Sequence, residues 1–401
     1  MTMKNRSTFP SRLIWAGLLA GGLAQAQGVP AEATPAGSAT APGWQACQTL
    51  KADATAQLAC FQRWADSQLH ATTPAPSLTT APANPAVGQP ATQVLLLPTL
   101  NTESPDGKPI GCKNNQYSDL SKFWELQRGT DCGTFALRGY RPTSLAFIAS
   151  DGVNEQPSST ADGHTALTAL PYKHTEKKIQ LSIRTKLLKG LLKRSPEEGA
   201  DHDSLWFGYT QKSYWQLFNT GLSRPFRVTD HEPELIYVFP HQLPLAGGWS
   251  YRLSGLGVVH QSNGQALPLS RSWNRVYLMG AVEKTLGQDS GLTLQGRVWN
   301  RVDESTVNDD NPGIEDYIGR AELTGSWQIS KSHSLGLTLR HSLRSQARGS
   351  ARLDWMLAPV SSPNYTALRY HLQLFSGYGD SLLDYNRKRN VLSVGLSLVD
   401  W

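Results

Sequence analysis

The stretch Val258–Arg275 reads Val-Val-His-Gln-Ser-Asn-Gly-Gln-Ala-Leu-Pro-Leu-Ser-Arg-Ser-Trp-Asn-Arg. It contains the end of one predicted β-strand, a turn built from Asn263, Gly264 and Pro268, and the start of the next strand. Two strands joined by such a turn predict an antiparallel pair. The pair brings a histidine, a serine and an asparagine together, which suggests a hydrolase site.

On both sides of this pair, the same pattern of strand-like segments and turns repeats from about Gly133 to the end of the chain. Segments of roughly 9 to 15 residues carry apolar side chains at alternate positions, and polar turns separate them. Twelve such segments can be counted: Gly133–Ser150, Glu176–Leu187, Ser204–Leu217, Pro233–Leu243, Trp249–Ser262, Ser270–Lys284, Leu292–Val302, Tyr317–Ile329, His333–Leu343, Ala351–Ala358, Tyr365–Tyr378 and Asn390–Trp401. Strands of this length in an even number predict an all-β, 12-stranded antiparallel transmembrane β-barrel, because the strands of soluble sandwiches are shorter. The terminal aromatic Trp401 is typical of such barrels, although it stands one register off the last alternation.

The N-terminus predicts export. Lys4, Arg6 and Arg12 precede an apolar stretch too short to anchor in a bilayer, and Ala24-Gln25-Ala26 fits a cleavage site, so residues 1–26 are interpreted as a secretory signal peptide. Its removal changes the formal net charge from +6 to +3 (6 − 3). A charge this small excludes a nucleic-acid partner.

Residues 27–110 are predicted to form a periplasmic extension, since two stretches rich in alanine, proline and threonine cannot bury a core. Between them, Trp44–Ser67 has helical composition. The spacing of the four cysteines suggests the pairs Cys47–Cys60 and Cys112–Cys132, with other connectivities left open. The first pair requires a helical hairpin, and the barrel is predicted over residues 111–401.

In a barrel whose termini are periplasmic, connections from odd to even strands are extracellular. Three polar loops fall on that side: Asn219–Glu232, Asn263–Leu269 and Asp303–Asp316. The acidic residues Asp303, Glu304 and Asp309 in the last loop are interpreted as solvated charges, with Asp309 close enough to Asp310 to help attract a cation.

On a strand, His260 and Ser262 share a face, so the imidazole can act as general base for the serine hydroxyl. Asn274 on the next strand can orient the imidazole, although it stabilises imidazolium less than a carboxylate does. The alternation places all three on the lipid-facing side. A second His-x-Ser pattern, His202-Asp203-Ser204, is interpreted as a solvated turn.

The pattern His260-x-Ser262-Asn263-Gly264 followed by Ser270–Arg275 resembles the outer membrane phospholipase A family. The resemblance covers roughly residues 112–401. Further matching motifs are Tyr209–Ser213, Ser223-x-Pro225-Phe226-Arg227, Asn308–Pro312 and Ser376–Asn386.

This resemblance implies a calcium-dependent enzyme of the Gram-negative outer membrane that is active as a homodimer at the outer leaflet. Its substrates would be phospholipids and lysophospholipids, with A1, A2 and lysophospholipase activity. The matching positions imply Ser262 as nucleophile, His260 as general base and Asn274 as the residue that orients His260. Backbone N–H groups at Ser262 and Gly264 would form the oxyanion hole.

The resemblance also implies the calcium ligands. Ser223 of one subunit would act with Gln265 and Ser270 of the other, and Asp310 would serve a dimer-linked site. These ligands offer only oxygen atoms, which suits a hard cation.

Two positions depart from the family pattern. Gln265 stands where arginine is common, and His231 stands where tyrosine is frequent beside the substrate cleft. Gln211 lies on the family's dimer-facing strand and would pair with its symmetry mate; the alternative is an amide that faces the barrel interior.

Two other functions remain open from the sequence. One is a catalytically inactive, structural or porin-like outer-membrane barrel. The other is a soluble periplasmic esterase, which the lipid-facing alternation disfavours.

Overall fold

The computed structural model describes residues 47, 49, 53–70, 111–114, 116–192, 202–359 and 367–399. The chain divides into two compact units between residues 94 and 95. The predicted signal peptide 1–26, most of the predicted extension and Trp401 lie outside the described residues.

The first unit contains helix α1 (Ala54–His70). Asp53 starts this helix, because its Oδ1 accepts hydrogen bonds from the backbone N–H groups of Thr55 at 3.0 Å and Ala56 at 3.1 Å. A disulfide joins Cys60 on α1 to the helical residue Cys47, with Cα atoms 5.5 Å apart. The predicted pairing of these two cysteines is confirmed.

The second unit is one antiparallel sheet of thirteen strands. In chain order they are β1 (Leu137–Gly139), β2 (Thr143–Ser150), β3 (Thr175–Lys189), β4 (Ser204–Trp215), β5 (Val228–Pro244), β6 (Ser250–Ser262), β7 (Ser272–Gly287), β8 (Ser290–Val302), β9 (Ala321–Gln328), β10 (His333–His341), β11 (Gly349–Leu357), β12 (Leu368–Gly377) and β13 (Arg389–Leu398). Two short helices accompany them, α2 (Asp119–Trp124) and α3 (Glu315–Ile318).

The sheet closes on itself as a barrel. β3 pairs with β4 as well as with β2, and β2 pairs with the last strand, β13. β1 and β2 follow one another along β3, where they pair with Ile183–Thr185 and Thr175–Gln180. They therefore occupy one position in the wall, and the predicted 12-stranded antiparallel barrel is confirmed.

Side chains alternate across the wall as period-two strands require. On β6, Leu256 and Val258 are exposed, whereas Val259 is buried in the interior. The exposed outer positions of neighbouring strands, such as Leu278 on β7, continue this apolar surface. Among the helices in the described ranges, none is both long and apolar enough to cross a membrane.

Several predicted strand boundaries are wrong, and the predicted strand Gly133–Ser150 is divided into β1 and β2. Two of the differences have a clear physical cause. β5 begins at Val228, so residues 228–232, which were predicted as the end of the loop Asn219–Glu232, belong to the strand. Asp230 and Glu232 are buried on the inner face, where a barrel accommodates charge, and their polarity therefore does not indicate a loop. The predicted strand starting at Tyr317 begins later because α3 precedes it.

One end of the barrel interior is filled by the segment that contains α2. Trp124 is fully buried and packs edge-to-face on Trp206 of β4, with ring centroids 5.9 Å apart. The Cys112–Cys132 disulfide closes a 20-residue stretch around α2 and confirms the second predicted pair.

Charged side chains fill the interior towards the other end. Arg275 lies 3.3 Å from Glu232, and Arg297 lies 3.7 Å from Glu234. Each of these four buried charges thus has a partner of opposite sign, which offsets the cost of burial in a low-dielectric interior.

Beneath the loops at that end lies a second buried network. Arg227 contacts Glu176 at 2.7 Å and Asp384 at 3.0 Å, and Arg389 contacts Asp380 at 3.1 Å. This network ties the β12–β13 connection to β3 and to the entry of β5.

Candidate active site on the barrel wall

The predicted catalytic residues lie on two adjacent strands and face outward. His260 on β6 is opposite Asn274 on β7, and Ser262 is opposite Ser272. His260 is exposed and continues the outer row of Leu256 and Val258. The wall itself therefore presents these polar groups beside its apolar surface.

A hydrogen bond joins the first two members of the site. His260 Nδ1 and Asn274 Oδ1 are 2.9 Å apart. Because an amide oxygen can only accept, Nδ1 carries the hydrogen in this arrangement and Nε2 keeps a lone pair. The ring is thus held as a general base.

Asn274 has a second partner that the sequence did not reveal. Its Nδ2 donates to Oε1 of Glu304 at 2.8 Å. The interpretation of Glu304 as a solvated loop charge is therefore wrong.

Ser262 lies two residues beyond His260 on the same face. Between these two described residues no side-chain hydrogen bond is formed in the isolated chain. Residues i and i+2 of a strand are about 6.5–7 Å apart, within reach of one rotamer change, and such bonds often tighten only when substrate is bound.

The turn after Ser262 is held by one side chain. Asn263 Oδ1 accepts from the backbone N–H of Arg271 at 3.0 Å and of Gln265 at 3.3 Å, and its Nδ2 donates to the Leu269 carbonyl at 2.7 Å. Gly264 takes a φ of +61°, a left-handed conformation that suits glycine. The turn thereby fixes the backbone N–H groups next to the serine.

Arg271 fastens this turn to the long β2–β3 connection. It is fully buried, and its guanidinium donates to the carbonyls of Ser270 at 2.6 Å and His164 at 2.9 Å. Burial lowers the pKa of Arg271 from its ordinary value.

Asp310 is the centre of a cluster of oxygen atoms. Ser270 Oγ donates to its Oδ2 at 2.7 Å, and Ser272 Oγ donates to the same atom at 3.2 Å. His164 Nε2 lies 3.0 Å from the other carboxylate oxygen. The neighbouring Asp309 pairs with Arg301 at 2.5 Å, so the interpretation of Asp309 as a solvated charge is wrong.

The other two predicted calcium ligands, Gln265 and Ser223, make no hydrogen bond to this cluster in the described chain. The side-chain amide of Gln265 donates to the Arg227 carbonyl at 3.1 Å, and its Oε1 is buried without a hydrogen-bond partner. The backbone carbonyl of Ser223 accepts from Trp215 Nε1 at 2.6 Å. Within the described chain, no hydrogen bond joins Ser223 to Gln265.

Gln211 lies on β4 opposite His231 and shares the outward face with the exposed Phe207. Its Oε1 accepts from Tyr209 at 3.1 Å, and the same tyrosine hydroxyl lies 2.8 Å from His231 Nδ1. The alternative in which the Gln211 amide faces the interior is wrong.

Two further serine and histidine arrangements are structural. Ser204, from the second His-x-Ser pattern, is buried and accepts from Trp206 Nε1 at 2.9 Å. Ser397, His371 and Asp354 form a continuous hydrogen-bonded chain, with distances of 2.7 and 2.9 Å, that is buried inside the barrel. Their burial keeps an ester away from both serines.

Sequence reasoning missed two residues at the site, Glu304 and His164. Each lies in a connection and reaches its partner across a large sequence separation. Glu304 follows the end of β8 closely, and β8 pairs with the strand that carries Asn274. This strand pairing is the signal in the sequence that could have indicated that Glu304 and Asn274 lie close together.

Comparison with known proteins gives a consistent result. Residues 120–398 match the family model described as phospholipase A1. A putative phospholipase A1 of Neisseria meningitidis is 34% identical over 288 residues, which cover 71% of this chain and 71% of the relative. The phospholipase A1 of Escherichia coli K12 is 31% identical over 266 residues, covering 66% of this chain and 82% of the relative.

Solved structures agree in fold. The outer membrane phospholipase A of Escherichia coli matches with a TM-score of 0.54 and 30% identity, covering 67% of this chain and 94% of that chain. The Salmonella typhi outer membrane phospholipase, a dimer with bound calcium, matches with a TM-score of 0.55 and 31% identity, covering 66% of this chain and 93% of that chain.

Proposed function

This chain belongs to the family of outer-membrane phospholipases that the phospholipase A1 model describes, and from that membership we propose a serine esterase mechanism on its outer wall. The protein is a phospholipase of the Gram-negative outer membrane. The observation that carries the mechanism is the 2.9 Å contact between His260 Nδ1 and Asn274 Oδ1, on the face that also holds Ser262.

In the proposed reaction, Ser262 Oγ attacks the ester carbonyl of a phospholipid while His260 Nε2 takes its proton. Asn274 keeps the imidazole in the required tautomer. The backbone N–H groups of Ser262 and Gly264 donate to the developing oxyanion, and His260 then gives its proton to the departing lysolipid. Water activated by His260 hydrolyses the acyl-enzyme, which releases the fatty acid and restores the serine.

Calcium is the proposed metal, and the residues present fit it. The donor atoms around Asp310 are carboxylate and hydroxyl oxygens, which suit a hard divalent cation, and Gln265 offers a buried oxygen without a hydrogen-bond partner. Ser270 and the Gln265 backbone carbonyl would hold the ion together with Ser223 of the other subunit, and Asp310 would serve a dimer-linked site. When bound, calcium would supply positive charge that helps to stabilise the transition state, because a neutral Asn274 stabilises the imidazolium less than a carboxylate does.

The outward orientation supports a lipid substrate delivered from the membrane and a second copy as partner. Within the described part of one chain, no hydrogen bond joins Ser223 to Gln265 or Ser270, and the family resemblance implies Ser223 of one subunit with Gln265 and Ser270 of the other. The outward polar row of Tyr209, Gln211 and His231 is a surface that a homodimer would shield from lipid. We propose that the active form is this dimer.

The test compares Ser262→Ala with wild type and with Ser376→Ala, which removes another outward-facing serine hydroxyl on β12. Fatty-acid release from micellar phospholipid is measured with calcium and with chelator. Loss of the nucleophile should lower activity at least about 10³-fold, whereas Ser376→Ala should match wild type. Equal activity of Ser262→Ala and wild type would remove the serine from its proposed role.

The finer specificity needs its own assay. Phospholipids labelled at either acyl position, together with lysophospholipid, would separate A1, A2 and lysophospholipase activity. The porin-like alternative is disfavoured by a positive observation, since paired charges and the α2 segment fill the interior of the barrel.

A further inference from the structure

Glu304 stands where a fourth member of the catalytic chain would stand. Its Oε1 accepts from Asn274 Nδ2 at 2.8 Å, while Asn274 Oδ1 faces His260 Nδ1 at 2.9 Å. The three side chains therefore form a continuous line from a carboxylate to the imidazole.

We propose that Glu304 is a positioning residue that fixes the amide orientation of Asn274 and, through it, the tautomer of His260. An asparagine amide has a donor end and an acceptor end, and either end can face a histidine nitrogen. A carboxylate only accepts, so the amide keeps Nδ2 towards Glu304 and Oδ1 towards His260. The reversed amide would set two oxygen atoms against each other and would leave Nε2 protonated, unable to take the proton of Ser262.

The charge of Glu304 is not neutralised by an ion pair in the described part of the chain. Arg301, three residues earlier, points to Asp309 at 2.5 Å and to Glu315 at 3.5 Å instead. Glu304 is only partly exposed, and its side-chain hydrogen bond in the described chain goes to Asn274. The Glu304 carboxylate, which reaches the imidazole through Asn274, thus supplies part of the negative charge that a neutral asparagine cannot offer to the imidazolium.

This inference rests on the proposed function, and a double-mutant cycle separates the two. The variants are Glu304→Ala, Asn274→Ala and the double variant, each assayed as full-length protein in detergent with calcium. The adjacent Asp303→Ala is the matched control, because Asp303 is exposed and makes no side-chain hydrogen bond or ion pair with the described residues of the site.

Glu304→Ala should lower kcat about tenfold with KM unchanged, since the group acts on the chemical step and not on lipid binding. Glu304→Gln keeps an acceptor oxygen but loses the charge and adds a donor, so it should recover only part of this loss. In the Asn274→Ala background, Glu304→Ala should have no further effect, because the residue acts only through Asn274. The rate of Ser262 labelling by a fluorophosphonate should follow kcat.

Three outcomes would overturn the inference: equal kcat in Glu304→Ala and wild type, the same loss in Asp303→Ala, or a full tenfold loss retained in the Asn274→Ala background. The proposed function fails in a different way. If Asn274→Ala itself retains wild-type activity, the triad is wrong whatever Glu304 does.

Discussion

Replacement of Asn263 by alanine tests whether the turn after Ser262 is required for catalysis. The side chain is buried and makes three hydrogen bonds, to the backbone of Gln265, Leu269 and Arg271. No other side chain in the described structure bridges the two ends of this turn in this way. Asn263→Ala therefore removes the tie without touching the serine or the histidine.

The magnitude follows from the number of bonds. A buried hydrogen bond contributes about 1 kcal/mol net, so three contribute about 3 kcal/mol. At about 1.4 kcal/mol per tenfold change, this is roughly a 10² shift away from the ordered turn. Because the ordered turn positions the N–H group of Gly264, kcat/KM should fall by 10- to 100-fold, the lower figure applying where water replaces a bond.

The assay is fatty-acid release at saturating calcium, with folding checked by heat-modifiable gel migration. Asn263→Asp keeps the acceptor for two N–H groups but sets an oxygen against the Leu269 carbonyl, so its loss should lie between wild type and Asn263→Ala. The exposed Asn308→Ala is the control. If Asn263→Ala lies within threefold of wild type while folded normally, the turn is not what organises the site.

Two further predictions concern the scaffold. Burial alone would raise the pKa of the Asp380 carboxyl, but Lys178 and Arg389 outweigh it and hold the pKa below the usual 3.8. The ionised carboxylate therefore stabilises the folded barrel above pH 3.8, and this contribution is lost as the pH falls through the pKa of the folded state. The urea midpoint of wild type should therefore drop at pH 3 relative to pH 5, and Asp380→Asn should flatten this dependence; parallel pH profiles would contradict it. Replacing Cys112 and Cys132 together by serine should destabilise the barrel by roughly 3 kcal/mol, because the disulfide restricts the unfolded chain over a 20-residue loop. The loss is measured as a lower urea midpoint. Replacing Cys47 and Cys60 by serine is the control and should leave the midpoint of the barrel unchanged.

Much of the fold could be predicted because the barrel wall is periodic. Alternation sufficed to count twelve wall positions and to place His260, Ser262 and Asn274 on the outer face. It failed at the start of β5, where Asp230 and Glu232 point into a charged interior and resemble loop residues.

The connections were harder to predict because their paths are not periodic. The contact of Glu304 with Asn274 spans 30 positions, and that of His164 with Asp310 spans 146. Such contacts depend on how a loop folds over its neighbours, and a single charged residue beside a turn carries no local signal of its partner. The structure was needed to show that these residues belong to the site.

The outward-facing residues of β6 limit the insertions and deletions that this strand can tolerate. Deleting one residue between Leu253 and Val258 would shift the register of everything beyond it and turn His260 and Ser262 into the packed interior. Insertions and deletions should therefore be confined to connections such as Leu245–Trp249 at the opposite end of the strand. The number of residues in this strand is thus constrained by catalysis even where the identity of each residue is not.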